Sequence, residues 1–325
     1  MNRMADVPAR RTATGIAFAC LGAALLASAT ARADEVPLPG PVIDGVVVKQ
    51  GEAAAATGVG DAKVGTGVSE PLWELGLGLA TVRFANYRGS DHDSVYALPL
   101  PFVAYRGRFL RADRDGARAI LFAGRKVEVD VSLSASTPTR SKDNDARSGM
   151  PDLPGTFEIG PNLNVELWQS GDRKLKLDLR MPLREAITLQ TSPRAIGVTF
   201  SPNLNLDLRN FAGRWNLGML AGPLFADRSY HEHFYGVASE FATATRPAYR
   251  AAGGYAGWAA TTAFSRRLGN AWLGNAWLGG FVRYDDLRGA AFADSPLVRR
   301  EHSVTAGFGI SWIFAVSSQR VLTAD

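Results

Sequence analysis

Three observations predict an all-β protein, a closed antiparallel up-and-down barrel that crosses a membrane. Apolar and polar residues alternate one for one in segment after segment, the segments run to about ten residues, and no stretch after the first thirty-odd residues is apolar for long enough to form a transmembrane helix. The expected count is about twelve strands, or ten if the short pair around Asp113 to Gly116 is a loop. A mean hydropathy of -0.05 argues against an all-helical membrane protein but not against a barrel, whose apolar residues are averaged against polar neighbours. A soluble β-sandwich alternates too. Strand length and polar faces rich in Gly, Asn and other small residues, suited to a lumen, favour the barrel.

The chain opens with Arg3, Arg10 and Arg11, then a small-residue apolar core from Ala13 to Ala29, then Ala31-Arg32-Ala33 in the small-x-small form of a signal-peptidase site. This predicts a signal peptide over 1–33, cut between Ala33 and Asp34; an uncleaved anchor helix is the alternative. The single cysteine, Cys20, lies inside that segment, and Ala17-Phe18-Ala19 before it is a poor run for lipid attachment. The expected mature chain has no cysteine, which excludes disulfides, thiol catalysis and cysteine-ligated metals for it. Four basic residues and one acidic residue leave with the signal, so 36 against 31 becomes 32 against 30, a net charge of +2. The pI near 9.5 is therefore no argument for a nucleic-acid partner. Residues 34–70, rich in Ala, Gly, Val and Pro without a sustained period, read as a flexible periplasmic leader, with a short plug or strand as the alternative.

The barrel is expected over 71–314, with a tail over 315–325. Its clearest strand runs from Lys174 to Arg184, where Leu175, Leu177, Leu179, Met181 and Leu183 oppose Lys174, Lys176, Asp178, Arg180 and Arg184. Val127, Val129, Val131 and Leu133 oppose Lys126, Glu128, Asp130, Ser132 and Ser134 in the same way. In the last strand Val304, Ala306, Phe308, Ile310, Trp312 and Phe314 oppose Ser303, Thr305, Gly307, Gly309 and Ser311. Tight turns at Gly171-Asp172, Ala212-Gly213 and Leu268-Gly269 would face the periplasm, and the longer links 136–154, 227–249 and 285–301 the outside. The pentad Gly-Asn-Ala-Trp-Leu, present at 269–273 and 274–278, has an odd length and would invert every later facing. It is therefore expected at a turn or bulge.

Asp227, His231, Glu232 and His233 form the densest group of metal-binding or acid/base side chains, and on a strand His231 and His233 would share a side. A solvated extracellular loop is the plainer reading. His92 between Asp91 and Asp93 is a second loop group, but neither supplies the positioned base and partner an enzyme needs, so the chain is expected to be non-enzymatic and without cofactor. Lys126, Glu128, Asp130, Glu158, Glu166, Lys174, Lys176, Asp178, Arg180 and Asp207 are expected to line the lumen, as a selectivity lining or as cross-strand pairs that fill it. Trp73, Trp168, Trp215, Trp312 and Phe314 fall near strand ends, where interfacial anchors sit.

The order of short motifs resembles one family. Trp73-Glu74-Leu75-Gly76-Leu77-Gly78, Tyr87-Arg88-Gly89-Ser90 and Leu98-Pro99-Leu100-Pro101-Phe102-Val103-Ala104-Tyr105-Arg106-Gly107 open the match. Glu158 to Leu163, Ala226-Asp227 through Tyr235-Gly236-Val237, Ala252 to Tyr255 and Asp294 to Val298 continue it to Phe314. Together they resemble the MltA-interacting protein family (MipA/OmpV). The resemblance implies an outer-membrane barrel in contact with lipid and lipopolysaccharide. It also implies a scaffold between a murein lytic transglycosylase and a murein synthase; a narrow channel for small solutes is the alternative. The eleven residues after Phe314 depart from barrels that end on their aromatic residue.

Overall fold

The computed structural model describes residues 68–107, 110–113, 116–212, 215–270 and 274–323. The signal peptide, its cleavage point at Ala33 and Asp34 and nearly all of the leader lie outside these residues.

Alternation has become a ring. Its strands are β2 (Trp73–Ala85), β3 (Asp93–Arg106), β4 (Leu110–Asp113), β5 (Gly116–Ala123), β6 (Val127–Ser136), β7 (Thr156–Gln169) and β8 (Leu175–Thr188). They continue as β9 (Ala195–Phe200), β10 (Asn203–Phe211), β11 (Trp215–Ala226), β12 (Gly254–Asn270), β13 (Gly274–Asp286) and β14 (His302–Val316). Apart from β9 and β10, each pairs antiparallel with its chain neighbours, and β14 returns to β2 with Phe308 opposite Thr81 and Trp312 opposite Leu77. β9 and β10 occupy one position in the wall. Phe200 and Leu204 face Leu183 and Leu179 of β8 on one side and Phe225 and Ala221 of β11 on the other, in unbroken register across Ser201-Pro202. The wall thus has twelve positions, each paired to the next, with β14 paired back to β2.

Short strands β1 (Val68–Pro71) and β15 (Arg320–Thr323) pair as a separate two-stranded sheet, so the tail after Phe314 extends β14 to Val316 and then turns back beside the entry strand. Arg106 ties this base to the ring through Glu70 and, at 2.9 Å, Glu74. The turn expected at Leu268-Gly269 instead lies within β12, which runs on to Asn270 with Gly269 opposite Asn275. Gly269 and Asn270 of the first pentad thus face Asn275 and Gly274 of the second across one hairpin.

The outer face carries Leu77, Leu79, Val95, Val103, Leu183, Leu204, Val282, Phe308 and Ile310, all exposed. Such a girdle of apolar side chains is incompatible with water and suits a hydrocarbon surround. At the end holding β1 and β15 the connections are short. At the other end the long loops pack together, and that cap is the molecule's largest apolar core: Tyr87, Leu153, Tyr235, Val237, Leu287, Phe292 and Leu297 are buried in it.

Candidate functional site: lumen and cap

From β6 to β10 the inner wall is a set of closed polar contacts. Asp130, buried, accepts from Asn164 at 2.6 Å and Asn162 at 3.2 Å. Lys176 pairs with buried Asp178 at 3.0 Å, and Asn205 donates to Asp207 at 3.0 Å. Glu158 is held by Thr199 at 3.2 Å, by Tyr230 at 3.0 Å and by Arg184 at 3.7 Å, while Arg184 also donates to Ser132 at 2.8 Å. Carboxylates in such a setting keep their charge only with partners at hand. Glu128, Glu166 and Arg180 share this inner face and are half-buried. Lys126 and Lys174 do not lie in strands: both are exposed in turns, and Lys174 pairs with Asp172 of its own turn at 3.1 Å.

The remaining inner wall is of another character. β2 presents Gly76, Gly78, Ala80 and Val82, and β14 presents Ser303, Thr305, Gly307, Gly309 and Ser311. Near the terminal end Phe102 and Ala104 of β3, Trp277 of β13 and Ile313 of β14 close together as a buried apolar floor. Sequence patterning missed Trp277 as an inward residue, since the pentad repeat obscured its facing; its register opposite Arg267 and Ser311 fixes it. Of the aromatic anchors, Trp168, Trp312 and Phe314 are exposed on the outer face, while Trp73 and Trp215 are half-covered, Trp215 by Phe264 and Arg266.

The cluster at 227–233 is helical. Helix α1 (Arg228–Tyr235) is capped by Asp227, whose Oδ1 accepts from the Tyr230 amide at 2.8 Å. On a helix, residues two apart point about 200° away from each other, so His231 and His233 diverge where a strand would have aligned them. His231 is fully buried against Phe292 with Nδ1 2.6 Å from the Ala252 carbonyl, and burial pushes its basicity down. His233 is lowered to about 4 by burial and then by Arg147 and Arg194. Among the described residues no group of three His, Cys, Asp or Glu is placed to hold a metal. His92 Nε2 stands 3.4 Å from Asp145, and Asp93 is taken by Arg83 at 2.7 Å.

Cap and wall are joined. Tyr235 stacks on Phe292 at 3.6 Å and donates to the Arg88 carbonyl, and burial holds its hydroxyl well above the usual tyrosine range. Arg88 reaches Asp285 of the wall at 2.9 Å. Arg147 and Arg246, both buried, spend their guanidinium donors on loop carbonyls, among them Phe234, Pro151, Phe241 and Ser148. A loop closed by buried arginine-carbonyl contacts holds one shape.

A family model described as MltA-interacting protein MipA matches residues 77–314. No curated protein sequence matches the chain. Among solved structures, a bacterial polysaccharide outer membrane secretin is similar at 11% identity, covering 74% of this chain and 99% of its own, with a TM-score of 0.36. OprB of Pseudomonas putida, in a high-pH structure, is similar at 7% identity, covering 74% and 94%, with a TM-score of 0.31. Both likenesses are remote.

Proposed function

Because the chain belongs to the MltA-interacting protein MipA family, we propose that it is a non-enzymatic interaction protein of the outer membrane, a barrel that presents its terminal end to the murein machinery. A murein lytic transglycosylase is the first partner, as the family's description suggests, and a murein synthase the second. One observation carries this reading. From β6 to β10 the inner wall is packed: Asp130, Asp178 and Asn205 are 3% exposed or less, and each is bonded to a neighbouring side chain. A wall so packed on one side, under a knitted cap, suits a scaffold whose working surface lies outside the barrel. The short-turn end supplies such a surface in the β1–β15 sheet, whose outer edges can accept a partner's extended strand. Cleavage after Ala33 belongs to the same proposal, placing that surface in the periplasm, and the leader expected over 34–70 ends in β1, which takes Val68 to Glu70. The competing reading is a narrow channel for small solutes, supported by the charged inner faces of β7 and β8.

The test has two measurements on the intact protein. An unboiled sample from the outer-membrane fraction should run ahead of a boiled one, and a photo-crosslinker at Arg320 should capture the lytic transglycosylase in cells while one at Glu240 in the cap should not. Steady single-channel steps in a planar bilayer, with no capture from Arg320, would replace the scaffold by the channel.

A further inference from the structure

β3 is paired with β2 along its whole length, from Asp93 opposite Ala85 to Tyr105 opposite Trp73. On its other side, among the described residues, only Tyr105 and Arg106 pair, with Ala112 and Arg111 of β4. The β4–β5 hairpin ends at Asp113 opposite Gly116, and β5 meets β6 only between Ala119 and Ala123. β6 continues to Ser136 with β7 as its partner. Among the described residues, then, β3 and β6 are joined only low down, through the hairpin, and no pairing spans the wall above it. It is roofed by loops: Thr139 donates to the Asn86 carbonyl at 2.7 Å, and Asn144 to Ser90 at 2.9 Å. Four sides enclose a window facing the bilayer.

Its chemistry is read from β3. No residue between Asp93 and Arg106 is charged. Val95 and Val103 on the outer face are exposed to lipid, at 67% and 54%. Tyr96, Leu98 and Leu100 on the inner face are half-buried, unlike the buried polar residues across the lumen. Phe84 stacked on Tyr96 at 5.4 Å closes the space above, and the floor of Phe102, Trp277 and Ile313 closes it below. On the facing strand Ser132, Ser134 and Ser136 share the inner face. An open strand edge ordinarily recruits another strand, but Pro99 and Pro101 have no amide hydrogen to offer, and proline in mid-strand is tolerated where a side of the ladder is left open. The edge is thereby closed to strand addition while its side chains stay apolar.

We propose that this window admits the acyl chain of a membrane lipid, which lies inside the wall along Tyr96, Leu98 and Leu100 above the Phe102–Trp277 floor. The bilayer supplies acyl chains at the height of the opening, and the apolar inner face of β3 gives one a surface that the polar β6–β10 wall does not.

The test uses the full chain in phospholipid nanodiscs containing phosphatidylethanolamine with a diazirine near the end of its acyl chain, followed by irradiation and peptide mass spectrometry. Adducts on Leu98, Leu100, Phe102 or Trp277, besides those on the outer residues Val95, Ala97 and Val103, are expected. Leu98→Arg should cut inner adducts by about fivefold or more, since a charge in an apolar slot excludes hydrocarbon, and leave outer adducts and the heat-shifted band unchanged; Leu98→Gln serves if the arginine variant does not fold. Adducts confined to the outer residues, or inner adducts that persist undiminished in the folded variant, would overturn the proposal. It rests on the membrane-barrel reading, whose own failure would show as no adduct on either face.

Discussion

The two halves of the inner wall solve the same problem in opposite ways. From β6 to β10 the space is filled by charged and amide side chains that satisfy one another, as Asp130 does with Asn162 and Asn164. Across β13, β14, β2 and β3 it is lined by apolar bulk at the bottom and mostly by Gly, Ser and Ala above, with the buried Arg283–Asp285 pair of β13 as the charged exception. The first half is held by electrostatic pairing, where each group depends on a particular partner. The second is held by volume, where any side chain of similar size and polarity suffices. Sensitivity to substitution should differ accordingly.

The largest effect is expected at Arg184, 4% exposed, whose removal takes from buried Glu158 a cation 3.7 Å away. Breaking one partner of a buried pair costs about 3–5 kcal/mol, because the remaining charge is left uncompensated. Arg184→Ala should lower the urea midpoint of the heat-shifted form by that equivalent. Pairing it with Glu158→Gln should recover much of the loss, because the amide needs no counter-charge and still meets Thr199 and Tyr230. Equal instability of the single and double variants would show that packing, and not charge, governs this half too.

How much of this was legible in sequence follows the same division. Period-two alternation specifies facing wherever apolar and polar side chains are sorted, so Leu175 to Leu183 against Lys176 to Arg184 could be oriented on sight. On the other half both faces are apolar or small: in Leu98-Pro99-Leu100-Pro101-Phe102 nothing distinguishes inside from outside, and only pairing with β2 shows that the leucines point in. Among the candidate site residues, Asp227, His231 and His233 were read by strand spacing, although an Asp followed by eight residues without Gly or Pro is an ordinary helix start. Lys126 and Lys174 sat at the ends of alternating runs, where a strand and a turn look alike. The cap was not legible at all, because its core is assembled from Tyr87, Leu153, Tyr235, Phe292 and Leu297, single apolar residues scattered through separate loops.

A smaller effect is expected from Trp277→Phe in the floor. The indole is 4% exposed and packs on Phe102, Ala104 and Ile313, yet its N–H finds no partner among the described residues. The variant loses part of the packing but also removes an unsatisfied donor, so a net cost of about 1 kcal/mol is expected, well under that at Arg184. A loss as large as that of Arg184→Ala would mean that the indole nitrogen does have a polar contact, and the contrast between the two halves would narrow.

The smallest effect is expected at Leu98, and it separates a packed position from an open one. A fully buried leucine cut to a small polar residue would lose both its transfer energy and its cavity, about 2–5 kcal/mol. Leu98 is only half-buried, beside a stretch of β3 that among the described residues pairs on one side only, so part of its surface is already out of contact with protein. Leu98→Ser should therefore cost less than about 1 kcal/mol in the same urea titration. Phe102, two residues further along the same inner face but 4% exposed, supplies the internal control, since Phe102→Ser should cost several times as much. If the two substitutions cost the same, the inner face of β3 is packed throughout and the window closes.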